Sequence, residues 1–141
     1  MLDSRLIIVI GLPSSGKTFF SKRFSNYTVF DDFINDFYNG DLIRAIKSNI
    51  NICINDPRLC LPDIFNRYIE KILKYVQQSD IMLILFENEP IQCLKNSKNN
   101  SKNISKKNIE NTIIQYSKYY QLEHYQNFKH IIIPVYEQSY E

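Results

Sequence analysis

Residues Leu6-Ile7-Ile8-Val9-Ile10-Gly11-Leu12-Pro13-Ser14-Ser15-Gly16-Lys17-Thr18 decide how the rest of the chain is read. Leu6 to Ile10 form an unbroken apolar, mostly β-branched run, as expected of a strand buried on both faces inside a parallel sheet. Gly11, Gly16, Lys17 and Thr18 then satisfy the phosphate-binding loop pattern G-x-x-x-x-G-K-[ST], the P-loop. Glycines let the backbone curl so that its N–H groups converge on phosphate oxygens, with Pro13, Ser14 and Ser15 filling the curl. Lys17 brings a positive charge to the β- and γ-phosphates, and the Thr18 hydroxyl takes one position around Mg²⁺. The helix expected from Lys17, with Phe19, Phe20 and Phe24 at helical spacing, points its positive end at the same anion.

Outward from this stretch, 141 residues make one domain with a core of useful size. A net charge of +2 argues neither for nor against nucleic acid as a partner. Cys53, Cys60 and Cys93 are odd in number and form no C-x-x-C pair, which predicts reduced thiols acting as small hydrophobes. No basic leader precedes the first apolar run and no run reaches membrane-span length, so a cytoplasmic protein is expected. Ala45 is the lone alanine while Ile, Asn, Lys and Tyr abound, so Asn-Lys runs reflect A/T-rich codons as much as design.

Strands and helices alternate along the chain. Tyr27 to Phe30 reads as a second strand ending in Asp31-Asp32, followed by a helix over Asp41 to Ser48 that starts after Gly40. Ile50, Ile52 and Ile54 alternate with Asn51 and Cys53 as a third strand, closed by Asn55-Asp56-Pro57. Leu61, Ile64, Phe65, Tyr68, Ile69, Ile72, Leu73 and Val76 form the clearest helical stripe, with Pro62 suited to its first turn. Ile81 to Phe86 is a fourth, apolar strand. Pro90 opens a short helix (Ile91, Leu94) ahead of a polar tract from Lys95 to Asn103 that is too hydrophilic to bury itself. Ser105 caps the next helix, Ile104 and Ile109 staple it, and it runs toward Gln121. His130 to Val135 is a fifth strand that Pro134 ends at a sheet edge. The expected fold is α/β: a single three-layer domain over residues 1–141 with a five-stranded, mainly parallel sheet and a mobile lid at 95–107.

Ligands of open parallel sheets sit beyond the carboxyl ends of the strands. Asp31 and Asp32 fall there and are suited to hold or deprotonate a hydroxyl for attack on a γ-phosphate, or simply to end the strand. Asp56 is placed to support Mg²⁺ through water, with Glu87 as the competitor. Arg58 is suited to a substrate phosphate or carboxylate. Lid lysines such as Lys98 and Lys102 can close over the triphosphate. His124 and His130 lack metal-ligand spacing.

Taken together, Gly11-Leu-Pro-Ser-Ser-Gly-Lys-Thr18, Asp31-Asp32, Asp56 and Leu85-Phe-Glu-Asn-Glu-Pro-Ile-Gln-Cys-Leu-Lys-Asn96 resemble small P-loop kinases of the polynucleotide-kinase-like kind. The resemblance implies an ATP- and Mg²⁺-dependent phosphotransferase whose acceptor is a hydroxyl on a small metabolite, a nucleoside or nucleotide, or a nucleic-acid end. It implies that Asp31 orients or deprotonates that hydroxyl and that the lid brings cations to the transferring group. Two departures are plain: Ile34 stands where polynucleotide kinases carry an acceptor arginine, and no arginine follows Arg67. Lysine supplies charge without the planar fork. The alternative is therefore a nucleotide-binding module without transfer activity. GTPases are disfavoured by the lack of N-K-x-D and D-x-x-G motifs.

Overall fold

The apolar run Leu6–Ile10 forms strand β1, and every one of its residues is buried. A computed structural model describes residues 4–31, 37, 39–98 and 106–137 of the chain. β1 lies at the centre of a five-stranded sheet with β2 (Thr28–Phe30), β3 (Ile52–Asn55), β4 (Ile81–Phe86) and β5 (His130–Ile133), in the order β2-β3-β1-β4-β5. Every pairing is parallel. β1 pairs Ile8 with Ile54 of β3 on one side and with Leu83 of β4 on the other. A central strand flanked in this way must be apolar on both faces, which is why β1 and β4 read as continuous hydrophobic runs.

Alternation along the strands sorts the core into two layers. Leu6, Ile8, Ile10, Ile52, Ile54, Ile81, Leu83 and Leu85 face one way. Against them pack α2 (Asp41–Lys47), α3 (Pro62–Ile72), α4 (Pro90–Lys98) and α5 (Lys106–Ser117). Ile7, Val9, Cys53, Ile84 and Phe86 face the other way and are covered by aromatic residues of α1 (Lys17–Ser21) and the loop after it. The result is a three-layer α/β fold. Phe20 meets Phe86 and Phe24 edge to face, at 6.0 and 5.5 Å between ring centres. That geometry lets so short a helix cover a sheet face.

Several boundaries differ from the sequence expectation, each for a local reason. The third strand begins at Ile52, and Ile50 stays 40% exposed outside it. Within Ile52–Asn55 every residue is buried, Ile52 and Ile54 in one core layer and Cys53 in the other, because both faces of the sheet are covered. α3 ends at Ile72, although Val76 beyond it remains in the core. β5 stops at Ile133, where Pro134 has no N–H to continue the ladder. α4 continues through Lys98 and buries Asn96 and Ser97, so the polar tract expected from Lys95 begins inside a helix. The proposed Ser105 cap and Ile104 staple, and the centre of the expected lid, lie outside the described residues. Among the described residues no helix is long and apolar enough to cross a membrane.

Two buried tyrosines fasten the upper edge of this core. The Tyr125 hydroxyl donates to the Leu59 carbonyl at 2.6 Å. The Tyr120 hydroxyl donates to the Phe86 carbonyl at the end of β4, with the Ile10 carbonyl at the end of β1 also within 3.4 Å. Burial pushes both phenols above their ordinary pKa. Tyr120→Phe leaves buried carbonyls without their donor and is expected to lower the unfolding free energy by about 1–3 kcal/mol. Urea denaturation of the variant checks this.

Candidate functional site

β1 runs directly into the loop Gly11–Gly16. The Ser15 N–H donates to the Leu12 carbonyl at 3.2 Å, closing a tight turn. Ser14 has φ 65° and Gly16 φ 105°, so two positions in the left-handed region are separated by the single residue Ser15. Glycine holds this conformation freely, whereas for Ser14 it costs about 1–2 kcal/mol. A backbone that alternates in this way gathers successive N–H groups on a concave side. Gly11 is required for space rather than for φ: a Cβ there would lie 2.7 Å from the Ser15 Oγ and 2.9 Å from the Phe86 Cβ. α1 has only five residues, so its dipole adds little beside the loop's own amides.

Lys17 begins α1 and is 7% exposed. Its Nζ donates to the Leu12 carbonyl at 2.6 Å and to the Ser15 Oγ at 3.4 Å. Burial brings its pKa down to about 8, against the opposing pull of Cys60, Cys93 and Asp56. Burial also pushes the Cys60 thiol up to about 12 and the Cys93 thiol to about 11, so both are neutral at pH 7. Asp56 is then the group among these that supplies negative charge to the ammonium. The cavity over the loop measures about 370 Å³ and is lined by Ser14, Gly16, Lys17, Thr18, Phe19, Asn96 and Tyr136. Thr18 is exposed to it in the first turn of α1. Beside it lies an apolar cleft of about 290 Å³ between Phe19, Arg23, Phe86, Pro134 and Tyr136.

The strand order brings Asp56 to this loop, since Asn55 at the end of β3 pairs with Val9 of β1. Asp56 is 1% exposed. Its Oδ1 accepts from the backbone N–H and Nε of Arg58, at 2.9 and 3.0 Å, and its Oδ2 accepts from Nη2 at 2.6 Å. Asp56 thus caps the 3-10 turn Pro57–Cys60 and holds Arg58 as an ion pair. Tyr116 of α5 faces this pair. Its hydroxyl pKa is raised, first by burial and then by Asp56, while Arg58 opposes the rise.

Other residues singled out in the sequence lie farther off. Asp31 is exposed at the end of β2, with β3 between it and β1. Its charge reaches Cys53, whose thiol burial already pushes up to about 12. Pro13 is half-buried in the loop, and Lys98 is exposed at the end of α4. Asp32 and Lys102 lie outside the described residues. Glu87 lines a separate cavity with Glu89, Gln92, Pro134, Val135 and Glu137. Among the described residues no group of three or more His, Cys, Asp or Glu side chains is arranged to hold a metal.

Sequence reasoning missed Asn96, Tyr116 and Tyr136. Tyr136 was within reach of the strand-end rule, because it follows β5 at the carboxyl edge of the sheet. Asn96 required knowing that α4 extends past Leu94, and its place in an Asn-Lys run disguised it.

A lowered Lys17 pKa has a definite sign. Above about pH 8 the ligand-free amine is neutral, and an anion bound beside it restores the charge, so binding takes up a proton there. Calorimetry with pyrophosphate at pH 9 in buffers of different ionisation enthalpy should show this uptake, and Lys17→Met should abolish it. The same substitution removes a buried charge, so the melting temperature of the ligand-free protein should not fall.

No protein-family model matches the chain. "Uncharacterized protein R277" of Acanthamoeba polyphaga mimivirus is 41% identical over 140 residues, covering 96% of this chain and 100% of that protein. The match spans nearly the whole of both chains, and the chain belongs to the same family as that mimivirus protein.

Proposed function

We propose that the protein is an ATP-dependent phosphotransferase that moves the γ-phosphoryl group to a hydroxyl acceptor. The observation that carries this reading is the buried Lys17 ammonium, directed into a backbone loop with two positive-φ residues at the end of the central strand. Lysine is rarely buried without a partner, and here a mobile anion is the partner the loop is shaped for. Its position between β3 and β4 supports the reading, since the chain leaves β1 toward one side of the sheet and later crosses to the other.

In this reading the amides of Gly16, Lys17 and Thr18 surround the β-phosphate, Lys17 reaches toward the γ-phosphate, and the Ser15 amide stays on the Leu12 carbonyl. The exposed Thr18 hydroxyl would hold Mg²⁺, and Asp56 would support it through water. When bound, the ion neutralises charge on the transferring group. The apolar cleft beside Phe19 and Tyr136, whose rings lie 5.2 Å apart, takes the nucleobase. Asp31 or Asp32 orients the acceptor hydroxyl, Arg58 meets an anionic acceptor, and Lys98 and Lys102 approach the phosphoryl group. Small metabolites, nucleosides, nucleotides and nucleic-acid ends are the acceptor classes to test.

A second reading, a nucleotide-binding module without transfer, is favoured by one observation. Both carboxylate oxygens of Asp56 are already engaged by Arg58, so the acid nearest the loop is neutralised in place. Incubation with γ-labelled ATP, Mg²⁺ and a panel of these acceptors separates the two. Label is expected on at least one acceptor class, with the rate falling about 100-fold or more in Lys17→Ala. It should fall about 10²–10⁴-fold in Asp31→Asn if that residue is the base. Tight ATP binding without label on any acceptor favours the module.

A further inference from the structure

Asn96 is a polar side chain 5% exposed, in a stretch whose composition suggested a solvated loop. Its Nδ2 donates to the Ser14 carbonyl at 2.9 Å and to the Tyr136 carbonyl at 2.6 Å. Its Oδ1 accepts from the Gln92 Nε2 at 3.0 Å, one helical turn earlier, which orients the amide so that the donor side faces the loop. Tyr136 reaches the same loop by its own backbone: its N–H donates to the Ser15 carbonyl at 3.0 Å. A Cβ on Gly16 would lie 2.7 Å from the Tyr136 Cβ, so the two segments are in flush contact.

These contacts hold the loop from outside. In a planar trans peptide the C=O and the following N–H point in opposite directions. With the Ser14 carbonyl held by Asn96, the Ser15 N–H is turned back to Leu12, where it is found. With the Ser15 carbonyl held by Tyr136, the Gly16 N–H is turned inward. Among the described residues it has no backbone acceptor, and Gly16 lines the cavity. Asn96 fixes one of the two peptide planes directly and the other through the Tyr136 carbonyl.

We infer that Asn96 is a positioning residue, which sets the direction of the Gly16 amide and thereby the affinity of the loop for a phosphate chain. The affinity part rests on the phosphate-binding reading above; the geometric part does not. Asn96→Asp keeps the shape and turns an oxygen toward two carbonyl oxygens, so it should splay the loop. Gln92→Ala removes only the bond that orients the Asn96 amide, at a half-buried position.

Gly16 offers a clean reporter. It is preceded by Ser15, whereas Gly11 follows Ile10 and Gly40 follows Asn39, and the chain holds three glycines. Protein labelled with carbonyl-¹³C serine and ¹⁵N glycine therefore gives one carbonyl-edited amide signal, that of Gly16. Inorganic pyrophosphate should move this signal saturably in the natural protein. In Asn96→Asp it should be displaced before any ligand is added, with Gly40 unmoved, and pyrophosphate should bind at least tenfold more weakly. Gln92→Ala should displace it in the same direction by less, and it decides the question if Asn96→Asp does not fold.

A folded Asn96→Asp with Gly16 at its natural position and pyrophosphate affinity within twofold overturns the inference. So does a Gln92→Ala that leaves both unchanged when Asn96→Asp is unfolded. If pyrophosphate and Mg²⁺-ATP leave Gly16 unmoved in the natural protein while Asn96→Asp displaces it, the phosphate reading fails and the positioning role stands.

Discussion

One buried positive charge constrains the upper half of this molecule. The Lys17 ammonium sits where the central strand ends, satisfied by a backbone carbonyl and a serine hydroxyl and faced by a single charged carboxylate. Removing an ammonium from water is costly unless its donors are met and its charge is balanced. Leu12, Ser15 and Asp56 meet those needs only in part, which is why the amine gives up its proton so much more readily than an exposed lysine.

The sheet makes the arrangement possible. β1 is flanked on both sides, so its end cannot drift, and α1 leaves from it after a loop of six residues. The two faces are covered unequally. Among the described residues, four helices lie over one face, while one short helix and a cluster of Phe20, Phe24, Tyr27 and Phe86 cover the other. The thinner cover leaves Phe19 and Tyr136 exposed beside the loop, at 55% and 43%. Their rings lie 5.2 Å apart and form part of the wall of the apolar cleft.

Most of the architecture was readable because it rests on periodicity. β1 and β4 declare themselves by unbroken apolar runs, α3 by its stripe, and β5 by the proline that ends it. The loop was readable because glycine, lysine and threonine occupy it at fixed spacing. The supports of the loop were not readable, and the reason is physical. Asn96 reaches Ser14 across 82 positions of chain, and no local pattern marks a long-range hydrogen bond. Asp56 was picked out by its place after β3, but its pairing with Arg58 depends on a 3-10 turn that composition does not announce. Ile50 was read into its strand because alternation alone cannot tell a half-buried strand from one enclosed on both sides.

The contact between Ser15 and Tyr136 has a consequence for how the molecule is made. A ribosome releases the β1 end and its loop early, yet the groups that hold that loop outside, on α4 and after β5, emerge much later. The nascent polypeptide can form a hydrophobic strand long before it can complete the cavity over the loop, and that strand waits unpaired for β3 and β4. Parallel pairing between distant segments is slow for the same reason. Maturation of the pocket is thus a late event of biosynthesis, and a chain interrupted ahead of residue 136 would carry the glycine-lysine motif without its shape.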